Sequence, residues 1–291
     1  MEPVITVGLD GSPESLAAAH WAADEAERRK LTLHLLHAWP LLAPEPTNTP
    51  SEIDQNYWAK RIVHNARAEL QARHPGLSVV GDLVAEDAQD ALLQAASESE
   101  MIVLGSQGLT PVESYFMGDI SMPVVARAER PVVLVRAEKR EGGPPPTPGT
   151  AGAVVVALKL HGPCDDLLEF AFGTAAMRGT PLRVIHGQAL PVHAYAPWGV
   201  DHDVTDEIAQ DAHKQLSQAL RPWREKFPGV EVVDVVRLDS PAKAVVRDAE
   251  SAGLLIVGRR KHRPSLAPRL GSVADAAIHH ACCPVAVVPH D

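Results

Sequence analysis

Ile102-Val103-Leu104-Gly105 and Leu255-Ile256-Val257-Gly258 are one stretch of chain written twice, 153 positions apart. Each is a short, fully apolar run rich in β-branched residues and closed by glycine, which reads as a strand buried on both faces. Outward from this pair the offset holds for Gly118 and Gly271, for Pro131-Val132 and Pro284-Val285, for Ala91-Leu92-Leu93 and Ala244-Val245-Val246, and for Pro75-Gly76 and Pro228-Gly229. Nearer the start it becomes 149, setting His37 against His186 and Asp10 against Lys159. Self-similarity at domain length means one fold used twice.

The remaining elements follow from the same periodicities. In the first copy strands are expected at Val4–Leu9, Leu31–Ala38, Leu77–Val84, Met101–Gly105 and Pro131–Val135. Ser12 is the expected N-cap of the first helix, with Pro13 and Glu14 in its first turn and an apolar stripe from Ala17 to Ala26. Further helices are expected near residues 52–73, 87–97 and 119–128, the first after a proline-rich loop from Pro40 to Pro50. The second copy repeats the alternation, with strands at Ala153–Leu158, Leu182–His186, Val230–Val236, Leu254–Gly258 and Pro284–Val288. Its helices are expected at Asp165–Met177, Asp203–Glu225, Ala242–Ser251 and Ser272–His280. Strands alternating with helices imply right-handed crossovers, hence an α/β fold of two tandem doubly wound, five-stranded parallel sheets covered by helices on both faces. A flavodoxin-like strand order is expected in each. Domain boundaries fall at 1–138 and 151–291, joined by a Pro/Gly linker at 139–150 that can form no regular element.

Composition narrows the function. With 291 residues, 45% hydrophobic and 22% charged, the chain has the makings of two ordinary globular cores. Aromatic residues are 4%, which argues against base stacking as a main activity, and the net charge of −10 argues against wrapping a nucleic acid. All of that excess lies in residues 1–138, which hold 20 acidic and 10 basic residues. Three cysteines, two of them adjacent, make no disulfide framework. No apolar run is long enough to span a membrane. The strand beginning at once after Glu2-Pro3 leaves no room for a signal peptide. A cytoplasmic protein that engages neither nucleic acid nor membrane is expected.

In a doubly wound sheet, ligands sit beyond the carboxyl ends of the strands where strand order reverses. Asp10, Ala38 and Gly105 each close such a strand, and Gly105 opens the series Gly105-x2-Gly108-x9-Gly118-Asp119-Ile120. Glycines at strand exits permit close backbone approach, and free amides at a helix start attract phosphate. The bland reading is that glycines are common at such junctions for turn reasons alone.

That series, after an apolar strand and ahead of Pro131-Val132-Val133-Leu134-Val135, resembles the ATP-binding signature of the universal stress protein family. Val7-Gly8-Leu9-Asp10-Gly11-Ser12 resembles the family's first strand and turn, and Leu36-His37-Ala38 its second strand end. The match runs once per copy over nearly the whole chain, so the chain is similar to a tandem universal stress protein. The resemblance implies a stress-response protein holding ATP or a related adenine nucleotide, with adenine near Asp10 and the backbone of Ala38. Ribose and phosphates would lie on Gly105, Gly108, Gly118 and the amides of Asp119 and Ile120. It also implies pairing of the last strands of the two copies into an intramolecular pseudo-dimer, with protein partners or a homodimer as further associations. Asp119 departs from the Ser or Thr of the family; its carboxylate either repels phosphate or holds a Mg²⁺ that bridges to it. In the second copy Lys159 stands for the adenine-side aspartate and Lys261 for the second glycine, while Gly258, Gly271 and Ser272 remain as an anion cradle. The competing expectation is a degenerate scaffold that binds no nucleotide and acts through protein partners.

Other motifs are weighed against plainer roles. His279-His280-Ala281-Cys282-Cys283 suggests a metal set, but neighbours on a helix diverge, so a helix end with buried cysteines is expected and no metal is assigned. Arg259–Arg263 reads as a solvated loop or a phosphate cradle, His37 and His186 as hydrogen-bonded structural histidines, and the five tryptophans as packing. No catalytic motif is present: no Gly-Lys-Ser phosphate loop and no marked Ser-His-Asp set. At most, slow hydrolysis of bound ATP is expected.

Overall fold

The computed structural model describes residues 3–39, 55–106, 120–137, 152–191, 195–196, 199–200, 202–262 and 270–291. It divides into two compact units, Met1–Glu141 and Gly142–Asp291.

The first unit runs β1 (Val4–Gly8), α1 (Pro13–Arg29), β2 (Thr32–Ala38), α2 (Gln55–Arg73), β3 (Val79–Val84), α3 (Ala88–Glu98), β4 (Met101–Ser106), α4 (Ser121–Arg127) and β5 (Val132–Arg136). Its strands lie in the order β5-β4-β1-β2-β3, all parallel. This is the 3-2-1-4-5 order of a Rossmann half, which corrects the flavodoxin-like order expected from sequence. Either order satisfies right-handed crossovers, so the local pattern of strands and helices does not choose between them. The chain moves from β1 outward to β2 and β3, then crosses back to β4 on the other side. The switch point therefore lies between β1 and β4.

Helix α1 shows how sequence sets this arrangement. Ser12 caps it, its hydroxyl accepting from the Ser15 N–H at 3.1 Å, and Lys30 ends it in a left-handed conformation at φ 55°. Between them Ala18, Ala19, Ala22, Ala23 and Ala26 are all fully buried, a face of small residues that lets the helix lie close on β1, β4 and β5. Glu25 is buried too, its carboxylate held by Arg29 at 2.7 Å and Arg28 at 3.4 Å. Asp87 caps α3, accepting from Gln89 and Asp90. The strand expected from Leu77 starts at Val79, because the Leu77 N–H closes a turn onto the His74 carbonyl. Helix α4 is shorter than expected and begins at Ser121.

The second unit runs β6 (Val154–Ala157), α5 (Asp165–Arg178), β7 (Leu182–Gly187), a two-residue hairpin of β8 (Tyr195–Ala196) and β9 (Gly199–Val200), α6 (His202–Lys226), β10 (Val232–Arg237), α7 (Pro241–Asp248), β11 (Leu254–Arg260), α8 (Ser272–His280) and β12 (Val285–His290). Its parallel sheet repeats the first: β12-β11-β6-β7-β10. Fully buried Phe172 on α5 stacks on Trp223 at 5.9 Å and packs on Phe227 at 5.6 Å, anchoring α6. Trp58, by contrast, is 65% exposed on α2, so the reading of every tryptophan as packing does not hold there. Arg259 and Arg260 belong to β11, with Arg259 buried, where a solvated loop was one expectation. No helix among the described residues is long and apolar enough to cross a membrane.

Candidate functional site

At the switch point of the first unit the strand ends enclose a cavity of about 200 Å³. Its walls come from Gly8–Asp10 after β1, Leu36–Ala38 at the end of β2 and Leu104–Ser106 at the end of β4. Ala88 and Leu92 of α3 close one side, and Ile120 and Ser121 stand at the start of α4. The predicted residues Asp10, Ala38, Gly105 and Ile120 are thus brought together. Gly108, Gly118 and Asp119 lie outside the described residues.

The cavity is an apolar slot with a few fixed polar groups, the usual chemistry of a small-molecule site. At its rim the Asp10 carboxylate accepts from the Ser12 N–H at 2.8 Å, a two-residue turn that fixes its direction. Burial alone would raise its pKa, but hydrogen bonds from the Ser12 hydroxyl and N–H, from Ser15 and from its own backbone outweigh burial, and the net shift is downward. The group is an anion and an acceptor at neutral pH. Ser15 stays in the turn by donating to the Ser12 carbonyl at 2.9 Å.

His37 holds the turn from the other strand. Its Nδ1 lies 2.7 Å from the Leu9 carbonyl, and the Leu9 N–H donates to the Leu36 carbonyl at 2.8 Å. A carbonyl only accepts, so Nδ1 carries the proton. His186 repeats the contact on Leu158 at 3.0 Å, with Leu158 N–H on the Ile185 carbonyl at 2.9 Å. Both histidines are the hydrogen-bonded structural groups that their equivalent positions suggest.

Gly105 has a reason of its own. A Cβ there would sit 2.6 Å from the Glu14 carbonyl carbon and from the Ser15 nitrogen. The first turn of α1 lies against β4 so closely that only glycine fits, with or without a ligand.

The second unit keeps the scaffold and carries different side chains at the corresponding strand ends. Lys159, opposite Asp10, is exposed. Lys261, opposite Gly108, reaches Asp166 in the first turn of α5 at 2.8 Å, and that hydrogen bond holds its ammonium above the ordinary lysine range. The His290 ring lies over Gly258, with Nε2 2.5 Å from where a Cβ would stand, while its Nδ1 is 3.1 Å from the Pro163 carbonyl. Gly271 is the N-cap of α8 without a side-chain cap, and Ser272 beside it is exposed. Lys261 and His290 therefore stitch the strand ends of this unit to α5. Sequence reading sets Lys261 against Gly108 but gives no sign that it pairs with Asp166, since 95 residues separate them. Ser12, Ser15 and Ser106 were also missed as cavity residues, although all three flank quoted motif positions.

Cys282, expected buried, is exposed at the end of α8, and Cys283 is buried. Among the described residues, no group of three or more His, Cys, Asp or Glu side chains converges on a metal-sized space.

Two parallel five-stranded sheets with the same 3-2-1-4-5 order, the first with a cavity at its switch point, define a tandem doubly wound α/β protein. The model of the universal stress protein family matches residues 2–136 and 151–289, and the chain belongs to that family. It is 31% identical to universal stress protein Rv2005c of Mycobacterium tuberculosis, over 97% of this chain and 96% of that one. Universal stress protein Rv1996 of the same organism is 28% identical, over 99% and 96%. Among solved structures, a universal stress protein from Archaeoglobus fulgidus superposes with a TM-score of 0.68 at 18% identity, covering 99% of this chain and 98% of that one, a likeness of fold.

Proposed function

We propose that the first repeat is a cytoplasmic, non-catalytic receptor for an adenine nucleotide, ATP or a relative, and that the second repeat is its structural partner. The observation that carries this reading is Asp10, an ionised carboxylate fixed by Ser12 at the rim of a largely apolar slot at the switch point. An amino-substituted aromatic base offers an apolar body to the slot and a donor to the carboxylate. Free cysteines suit a reducing compartment. Freshly purified protein, denatured and analysed by mass spectrometry, is expected to release an adenine nucleotide in no more than one equivalent per chain. A preparation that neither releases a nucleotide nor binds added ATP, AMP or adenosine in calorimetry removes this reading.

Asp119 bears on which nucleotide is held. If its charge faces phosphate, Asp119→Ser tightens metal-free ATP about tenfold, the scale of a like charge removed at intermediate dielectric, and leaves adenosine nearly unchanged. If it anchors Mg²⁺, the same substitution weakens Mg-ATP instead. Calorimetry with and without EDTA separates the two.

A second reading, a scaffold acting through protein partners, is favoured by the Lys261–Asp166 and His290 contacts at the strand ends of the second unit, where side chains of the chain itself pair with one another. We assign that role to the second repeat alone. We further infer that residues 139–150 link the repeats and that their last strands pair within the chain. Protease is expected to cut within 139–150 while the halves stay associated; fragments that separate under native conditions defeat the pairing.

A further inference from the structure

We propose that Ser106 is a specificity residue of the first-repeat cavity, its hydroxyl binding the sugar of the nucleoside that fills the slot. The inference rests on the nucleotide reading above. Ser106 ends β4 in the wall of the cavity and is only 5% exposed, yet among the described residues its Oγ has no hydrogen-bond partner. A buried hydroxyl without a partner costs free energy, so its presence beside a cavity of this kind calls for a ligand atom.

The sheet fixes which part of the ligand Ser106 meets. Ala38, Asp10 and Ser106 close three adjacent strands, β2, β1 and β4, and neighbouring strands lie about 4.8 Å apart. A base lying between Ala38 and Asp10 therefore reaches Ser106 with its next group, the pentose. A space of about 200 Å³ is nucleoside-sized. Leu104, Leu92 and Ile120, which also line the cavity, offer no hydrogen bond from their side chains.

The test uses the full chain and four probes: adenosine, AMP, 2′-deoxyadenosine and 3′-deoxyadenosine. Ser106→Ala is expected to weaken adenosine and AMP equally, about tenfold, the scale of one buried hydrogen bond. One of the two deoxyadenosines should bind the native chain about tenfold less tightly than adenosine and lose nothing more on Ser106→Ala, as a closed cycle requires. The ligand-free variant should melt no lower than the native protein, because truncation removes an unpaired hydroxyl; a hydroxyl kept for structure would lower the melting temperature. If Ser106→Ala does not fold, Ser106→Cys keeps the volume with a much weaker donor and carries the same comparison.

Equal affinity of native and variant chains for adenosine overturns the proposal while leaving the nucleotide reading standing. So does a loss confined to AMP, which assigns the hydroxyl to phosphate. A native chain that binds none of the four probes removes both.

Discussion

Gly105→Ala is expected to destabilise the first repeat by about 3 kcal/mol or more, above the usual range for one added methyl, because the atoms in its way are backbone. The new Cβ would fall 2.6 Å from the Glu14 carbonyl carbon and the Ser15 nitrogen, and 2.8 Å from the Glu14 oxygen. Neither rotamer change nor loop movement relieves that contact; α1 must leave the sheet or tilt, and five buried alanines hold it there. For a unit of this size the loss corresponds to a fall in melting temperature on the order of 10 °C. Gly258→Ala is the control. Its Cβ would meet the His290 ring at 2.5 Å and Leu167 at 3.3 Å, side chains that can swing away, so about 1 kcal/mol is expected. Calorimetric melts of both variants decide the matter, and similar losses at the two sites would mean that the close approach of α1 to β4 is misread. The pair also guards against a false inference: loss of nucleotide binding in Gly105→Ala would report a displaced helix as readily as a lost ligand contact.

The second large effect is expected at Asp10. Asp10→Asn keeps an oxygen for the Ser12 N–H, so the turn should survive and the melting temperature move little. The charge is gone, however, and the amide can present a donor where the ligand also donates. A charge-assisted hydrogen bond is worth about 2 kcal/mol, so affinity for adenosine and its phosphates should fall about thirtyfold. The pH dependence follows from the downward shift of the Asp10 pKa. A depressed folded-state value means that the stability contributed by Asp10 is fully present above the unfolded carboxylate pKa of about 3.9, and is lost as pH falls through the lower folded value. Ligand affinity of the native chain should accordingly show no Asp10 titration between pH 8 and pH 5, and Asp10→Asn should lack the acid limb below it. Titration calorimetry from pH 8 down through the carboxylate range checks both; an unchanged affinity in Asp10→Asn would take the base-reading role from this residue.

Much of the fold was legible because its strands are unbroken apolar runs. Ile102–Leu104 and Leu255–Val257 can only be central strands, and Ser12 with Ser15 marks a helix start by local hydrogen bonding alone. Strand order was not legible, since the choice between Rossmann and flavodoxin arrangements depends on whether the crossover after β2 places β3 beside β2 or on the far side of β1, and no local residue encodes it. The site divides in the same way. Asp10 and Ala38 could be placed because they end strands, whereas Ser106 gave no signal, a serine after a glycine at a strand exit being ordinary. The long-range partners were hidden for a physical reason: Lys261 meets Asp166, and His290 meets Pro163, only after two separate crossovers have brought β11 and β12 beside α5.

The paired histidines have a consequence for how such a molecule diversifies. His37 and His186 pin the same carbonyl in both repeats, so each socket keeps its shape without help from whatever occupies it. The positions that would read a ligand are different in kind: Lys159 stands in solvent, and Lys261 forms an ion pair at the surface. Exchanges there cost folding little, as exposed charges and surface pairs generally do. A duplicated gene built this way carries a rigid frame and an interchangeable lock. One copy can go on answering to an old ligand while mutation tries out new keys in the other, and the frame hardly registers the change.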